Sequence, residues 1–257
     1  KKTLQDLTKA IFVNLGKDFF KYNKEFMDLS KRMLQEKQII IYSTDSVIAK
    51  GLQDEGWNGE IKKTDGDFVL WADANLGALK TDLVIDRELV YTFSPTTSGK
   101  YIAKAIMKYI HRGDFNWRTT RYRTYARVFV PEGSEFIKAI GAMDKEKSSA
   151  LPIIDWGVEN GKQWFGAFIA IEPGKSGELT FEFYLSPKVV TSIKENKYSL
   201  LIQKQIGTED HKLTLDLDFD KNINKAFPGE DVKNYGDTKF TYNGDLRLDQ
   251  SFQVELK

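Results

Sequence analysis

"LVIDRELVYTFSPTTSGKYIAKAIMKYIH", residues 83–111, holds two runs that alternate apolar and polar residues, separated by the break "SPTTSG" at 94–99. Alternation with period two places successive side chains on opposite faces, the pattern of a half-buried strand, and a short turn-forming break between two such runs makes a hairpin. The same pattern continues downstream in "RYRTYARVFV" (121–130), "WGVENGKQWFGAFIAI" (156–171), "ELTFEFYLS" (178–186), "YSLLIQKQI" (198–206), "KLTLDLDFD" (212–220) and "DLRLDQSFQVEL" (245–256). Turn formers separate the runs at Pro131–Gly133, Asn160–Gly161, Pro173–Gly174, Pro187 and Asn243–Gly244. Asn-Gly pairs favour tight hairpins. About eight strands at this spacing predict an antiparallel, immunoglobulin-like β-sandwich, here over residues 81–257. The longest irregular loop is expected at 221–237.

Upstream the pattern is different. Leu4, Leu7, Ile11, Leu15 and Phe19 recur at helical steps, and so do Phe26, Leu29, Met33 and Leu34 in a second expected helix over about 22–37. "QIIIYS" (38–43) suits a buried strand. Thr44 or Asp45 caps a third helix over about 45–55, with Val47, Ile48 and Leu52 inward and Gly56 at its end. "DFVLWAD" (67–73) is a further buried strand. Residues 1–80 therefore predict a small α/β domain, and the chain as a whole an α+β protein: a small α/β N-terminal part followed by an antiparallel immunoglobulin-like β-sandwich. "DANLGALKTD" (73–82) lies at the boundary. Gly77 permits a bend there, and Asp and Asn side chains satisfy turn backbone, so the stretch reads as a joint. The alternative is a ligand pocket of Asp73, Asn75 and Lys80 at the exit of a buried strand.

Composition narrows the chemistry. Lys plus Arg number 38 and Asp plus Glu 37, so no global field draws the chain to nucleic acid or to an anionic membrane; any charged partner is held by a local patch. There is no cysteine, which removes disulfides, thiolate nucleophiles and cysteine metal sites. The only histidines, His111 and His211, are expected at the surface, and no Gly-x-Ser-x-Gly occurs. No catalytic residue, cofactor or metal is expected. "LDLDFDKNIN" (215–224) imitates the start of a calcium loop, but Lys221 stands where Gly is needed and Phe227 where a bidentate Glu is needed, so it reads as a strand. "PGKSGE" (173–178) has Ile169 in place of the first phosphate-loop glycine and reads as a hairpin turn. No apolar run approaches the roughly 18–20 residues that span a bilayer. The opening "KKTLQDL" has no initiating Met or signal peptide, so the sequence is expected to be a fragment or mature form.

The sharpest anomaly is in arginine. Five of the eight arginines fall within 112–127: Arg112, Arg118, Arg121, Arg123 and Arg127, interleaved with Trp117, Tyr122 and Tyr125. On a strand over 119–130, Arg121, Arg123, Tyr125 and Arg127 share one face. Guanidinium groups bind phosphate and carboxylate bidentately, so Arg118, Arg121, Arg123, Arg127, Tyr125 and Trp117 form a candidate anion-binding strip. The alternative is a solvated face paired with carboxylates of neighbouring strands such as Asp86 and Glu88.

"EKQIIIYSTDSVIAKGLQDEGWNGEI", "DFVLWADANLGALKTDLVIDRELVYTF", "YRTYARVFVPEGS", "FGAFIAIEPGKSGELTFEFYLSP" and "YSLLIQKQIGT" follow one another in this order. The series resembles a family of large bacterial surface proteins, the domain-of-unknown-function family numbered 4012. "DANLGALKTD", "VPEGS" and "KQIGT" are the most specific parts. The resemblance implies an extracytoplasmic, cell-surface location, with membrane attachment only through an upstream anchor that this chain is expected to lack. The family's upstream region is distantly similar to the LytR-CpsA-Psr enzymes, which attach glycopolymers to peptidoglycan; no catalytic residue carries over. The expected function is a non-catalytic envelope module that binds an anionic cell-wall polymer and no nucleic acid. The alternatives are a fragment of an enzyme transferring glycopolymers, and a structural or assembly module.

Overall fold

The structure is a computed structural model that describes Gln5, Asp6, Lys9, Ala10, Val13 and residues 23–77, 79–144 and 151–257. The chain forms two compact units, Lys1–Glu60 and Ile61–Lys257.

In the first unit, helices α1 (Asn23–Gln35) and α2 (Ser46–Asp54) form where helical spacing places them. Asp45 is the α2 N-cap, its carboxylate accepting from the backbone N–H of Val47 and Ile48 at 3.0 Å. The helix expected over Leu4–Phe19 lies mostly outside the described residues, although Gln5, Asp6, Lys9, Ala10 and Val13 are helical. Two expectations fail. "QIIIYS" forms no strand: Gln38 and Ile39 N–H turn back to Met33 O, Ile41 N–H bonds Trp57 O at 3.0 Å, and Tyr42 is 86% exposed. A β-branched run becomes a strand only where a neighbour completes its ladder. In α2 only Leu52 is buried, while Val47 is 80% exposed.

Among the described residues, the second unit holds thirteen strands in two mixed sheets. They are β1 (Asp67–Asn75), β2 (Ile85–Pro95), β3 (Tyr101–His111), β4 (Tyr122–Pro131), β5 (Glu135–Ile140), β6 (Asp155–Glu159), β7 (Lys162–Ile171), β8 (Ser176–Tyr184), β9 (Lys197–Ile202), β10 (Lys212–Asp218), β11 (Ile223–Phe227), β12 (Lys239–Asp245) and β13 (Gln250–Leu256). One sheet runs β11-β13-β9-β1-β4-β7-β6 and the other β12-β10-β2-β3-β8-β5. The protein is thus a β-rich α+β fold. The sheets are mixed rather than purely antiparallel, because β1 lies parallel to β9 and β2 parallel to β10.

The opening hairpin forms as expected, with Ile85 opposite His111 and Pro95 opposite Tyr101. Alternate residues of β3, from Tyr101 to His111, point inward. The sheets pack face to face through aromatic contacts: Trp71 on Phe181 at 5.5 Å, Phe93 on Tyr198 at 5.5 Å and Phe165 on Phe183 at 5.6 Å. Offset and edge-on rings of this kind fill a core without the repulsion of a direct face-to-face stack. Helix α3 (Pro187–Lys194) connects the sheets, capped by Ser186 with Pro187 at its first turn, and anchored by buried Val189 and Ile193. The sequence reading treated Pro187 only as a separator and missed this helix.

The boundary between units falls after Glu60, not after residue 80, because β1 belongs to the centre of the second unit. Its run from Asp67 to Trp71 is continuously buried, as in a strand covered on both faces. "DANLGALKTD" still serves as a joint, but between sheets: it leaves β1 and enters β2 through a 3-10 turn at Thr81–Val84. "LDLDFD" is strand through Asp218, with Leu213, Leu215, Leu217 and Phe219 buried. "PGKSGE" is the turn between β7 and β8.

Candidate functional site

β4 presents the two faces its parity predicts. Tyr122, Thr124, Ala126 and Val128 are buried inward, and Arg121, Arg123, Tyr125 and Arg127 are half-buried on the outer face of the seven-stranded sheet. Small residues on the flanking strands make room for them. Arg127 lies between Ala72 and Gly166, Tyr125 between Ala74 and Phe168, and Arg123 opposite Ala170.

Two glycines lie in close approach to rings of this face. A Cβ on Gly166 would sit 2.5 Å from Tyr125 Oη, and one on Gly157 would sit 3.0 Å from Trp164 Nε1. The Trp164 indole therefore lies over β6, and the Arg127 guanidinium stands 4.3 Å from its ring centre. Tyr125 packs edge-on against Phe168 at 4.8 Å. Its hydroxyl donates to Asp155 Oδ2 at 2.6 Å. Burial, then the Asp155 contact, raise the phenol to about 12, so it remains a donor at neutral pH. Gly166→Ala should displace the Tyr125 ring and break the Asp155 bond, lowering stability by about 1–3 kcal/mol, measurable as a shifted urea midpoint with altered Tyr125 ring resonances.

The arginines have carboxylate partners, though not Asp86 and Glu88, which lie in the other sheet and pair with Arg112 at 2.6 Å and Lys108 at 3.4 Å. Arg121 pairs with Glu172 at 2.5 Å and Arg127 with Glu159 at 3.6 Å. Trp117 and Arg118 are not on this face. They lie on the loop before β4, with the Arg118 guanidinium 5.6 Å from the Trp117 ring centre. Sequence reasoning missed Trp164, Phe168 and Asp155. Alternation in "WFGAF" puts Trp164, Gly166 and Phe168 on one face, but only the β4–β7 register shows that it is the arginine face.

Asp73, Asn75 and Lys80 turn to different surroundings. Asp73 is enclosed, its side chain 2% exposed. It accepts from Tyr109 at 2.7 Å, Thr124 at 3.2 Å, Trp71 at 3.3 Å and Arg87 Nε at 3.1 Å. Arg87 also donates to Tyr122 at 2.8 Å and Asp82 at 2.7 Å. The cluster joins β1 and β4 of one sheet to β2 and β3 of the other. Asn75 donates to Asp82 at 2.7 Å and accepts from Gly77 N–H at 2.9 Å, shaping its own loop. Lys80 is exposed.

Both histidines are buried rather than at the surface. His111 accepts from Gly113 N–H at Nδ1, so its ring proton sits on Nε2 and is donated to Thr120 O at 2.8 Å. His211 Nε2 is buried with no hydrogen-bond partner; burial first, then the positive charges of Arg87 and Lys204, lower its pKa to about 3. A second interior carboxylate, Asp67, accepts from Tyr91 at 2.7 Å and Tyr198 at 2.8 Å. Burial outweighs these bonds and raises it to about 6.

No protein-family profile matches the chain. No curated protein matches it either. Among solved structures, it is similar to a proposed nutrient-binding protein of Legionella pneumophila, at 5% identity and TM-score 0.41 over 74% of this chain and 71% of that one. It is also similar to the M1 zinc metallopeptidase of Deinococcus radiodurans, at 9% identity and TM-score 0.29. That match covers 66% of this chain and 42% of the peptidase, so the chain spans less than half of the enzyme's length. Neither likeness reaches the level of a shared fold.

Proposed function

We propose that the chain is a non-catalytic module of a bacterial envelope protein that holds an anionic glycopolymer on the outer face of the seven-stranded sheet. The observation that carries this reading is the contiguous strip of Trp164, Arg127, Tyr125, Phe168, Arg123 and Arg121 on adjacent strands. Aromatic faces pack against the apolar face of a sugar ring, and guanidinium groups take its phosphate or carboxylate. Glu172 and Glu159 already pair with two of the arginines, so polymer acid groups bind by exchange. Their side chains are 34% and 52% exposed, and pairs of that exposure hold only about 0–1 kcal/mol each, which makes exchange cheap.

The sandwich is read as an elaborated immunoglobulin-like one, with the parallel pairs β1/β9 and β2/β10 as additions. The cell-surface location and the family numbered 4012 belong to the same proposal and rest on the sequence resemblance. A deep pocket lined by Asp73, Asn75 and Lys80 would favour the enzyme-fragment alternative, and the enclosure of Asp73 weighs against it. An assembly role has one observation in its favour: the edge strand β6 leaves Trp156 and Val158 exposed.

Binding of isolated anionic wall polymer at low and moderate salt tests the proposal. Arg121→Ala/Arg123→Ala/Arg127→Ala should weaken binding at least about tenfold and flatten its salt dependence, and Trp164→Ala should weaken it with the salt dependence kept. Equal binding by all three proteins would discard the site. A chain that binds no polymer but self-associates through β6 would favour assembly.

A further inference from the structure

A recess lies on the outer face of the seven-stranded sheet, at the opposite end from the arginine strip. β13 buries Phe252, Val254 and Leu256, so the residues between them point outward. Register then sets two rows across β9, β13 and β11: Ser199, Gln253 and Phe227, and beside them Lys197, Glu255 and Lys225. Both rows line a half-open cavity of about 460 Å³ that α3 borders on one side. A volume of this size suits a small molecule. The recess is separate from the arginine strip. Arg127 stands opposite Ala72 of β1, whereas Leu200 of β9 stands opposite Asp67, roughly 17 Å back along the strand. Phe68 and Leu70 lie between, buried, with Ile61, Trp164 and Leu201 packed against their cluster.

The lining is unlike the strip on β4, where Arg121 and Arg127 each have a carboxylate partner. Among the described residues, the Lys197, Lys225 and Glu255 side chains form no ion pair, and those of Ser199 and Gln253 form no hydrogen bond. Lys197 and Lys225 both stand opposite Glu255, which leaves the lining one positive charge. Phe227 is 69% exposed beside them. An apolar ligand would cover these polar groups and leave them unpaired, at a cost in desolvation. A sugar satisfies them. Its C–H face packs on an aromatic ring, and its hydroxyls both donate to and accept from an amide or a hydroxyl. The ammonium groups add a preference for an anion. We infer that this recess binds an anionic monosaccharide, a sugar phosphate or a uronic acid. The sugar ring lies on Phe227, and Ser199 and Gln253 bond its hydroxyls. Lys197 and Lys225 hold the phosphate or carboxylate, and Glu255 accepts from a further hydroxyl. This site does not depend on polymer binding at β4.

The test is calorimetric titration of the full chain with glucose 1-phosphate, glucuronate, glucose and inorganic phosphate, followed by amide shift mapping. At least one anionic sugar is expected to bind about tenfold tighter than glucose or phosphate, with shifts at 197–199, 225–227 and 253–255. Phe227→Ala should weaken that sugar about threefold to tenfold. Lys197→Ala/Lys225→Ala should weaken it about tenfold and abolish its advantage over glucose. All three side chains are exposed, so an unchanged melting curve checks that each variant folds. Arg121→Ala/Arg123→Ala/Arg127→Ala should bind the sugar as wild type does, which separates failure here from failure of the polymer site. Absence of binding by both anionic sugars overturns the inference, as does wild-type affinity in the Phe227 and lysine variants. Inorganic phosphate binding as tightly as the sugar overturns it too, since the recess would then hold an adventitious anion only. So does loss of sugar binding in the arginine variant, because the sugar would then lie on β4.

Discussion

Arg87→Ala is expected to destabilise the Ile61–Lys257 unit by about 3–5 kcal/mol. Arg87 is 6% exposed and Asp73 2%, so the substitution leaves a carboxylate in the interior with hydroxyl and indole donors but no cation. It also frees the Tyr122 hydroxyl and Asp82, which Arg87 holds at 2.8 and 2.7 Å. The measurement is the urea midpoint of the β unit. Arg87→Met/Asp73→Asn separates the causes: if the unpaired charge dominates, the double variant recovers most of the loss. A loss below about 1 kcal/mol for Arg87→Ala would place the pair among weak surface bridges, contrary to its burial.

The second large effect is a pair of opposed pH dependences. The folded pKa of Asp67, about 6, lies above its ordinary 3.8. The folded state therefore binds this proton more tightly than the unfolded chain. Its contribution is full below about pH 4 and is lost as pH rises to about 6, a fall on the order of 3 kcal/mol. The folded pKa of His211, about 3, lies below its ordinary 6.5. Here the unfolded chain binds the proton more tightly, so stability is full above about pH 6.5 and falls on acidification, by a few kcal/mol in total. Between about pH 4 and pH 6 the two slopes have opposite signs and nearly cancel.

Single substitutions should expose each slope. Relative to wild type, Asp67→Asn should gain stability as pH rises from about 4 to 6, because the falling contribution is gone. His211→Phe should show the reverse, with its relative advantage greatest at acid pH. Parallel pH profiles for wild type and both variants would contradict these assignments. The positive charge of Arg87 helps to depress His211, so Arg87→Ala should also move the His211 profile toward neutral pH, and the two substitutions should not be additive.

Strand identity in the second unit is legible where a strand buries one face along an unbroken alternating run; β5, β11 and β12 are not among the runs read, and β11 falls inside the loop expected at 221–237. The β2–β3 hairpin, the inward leucines of β10 and the arginine face of β4 all follow from period two. The buried position of His111 follows from the same parity, since it continues the inward series of β3. What period two cannot state is which strand lies beside which. "DFVLWAD" reads as a doubly covered strand and is one, but its run is compatible with an α/β sheet or with the centre of a sandwich, so the sequence places the boundary at residue 80 while the compact units divide after Glu60. The parallel pairs are invisible for the same reason. Ile39–Tyr42 shows the converse: β propensity without a partner strand yields an exposed segment outside any sheet.

The candidate site divides in the same way. The arginines and Tyr125 were visible on one strand. Trp164, Phe168 and Asp155 reach them only through the register of β4 with β7 and of β7 with β6. Asp73 stands out in the sequence as a carboxylate at the exit of a buried strand, but its surroundings depend on Arg87, Tyr109 and Thr124, which come from three other strands. The α3 helix could have been found from local signals, since Ser186-Pro187 is a cap followed by a first-turn proline and Val189 and Ile193 stand one turn apart.

The most direct measurement is amide chemical-shift mapping of the chain titrated with isolated anionic wall polymer. The account predicts shifts concentrated in residues 121–127, 155–159 and 164–168, on the outer face of the seven-stranded sheet. Shifts confined to the six-stranded sheet, or none at all, would contradict it.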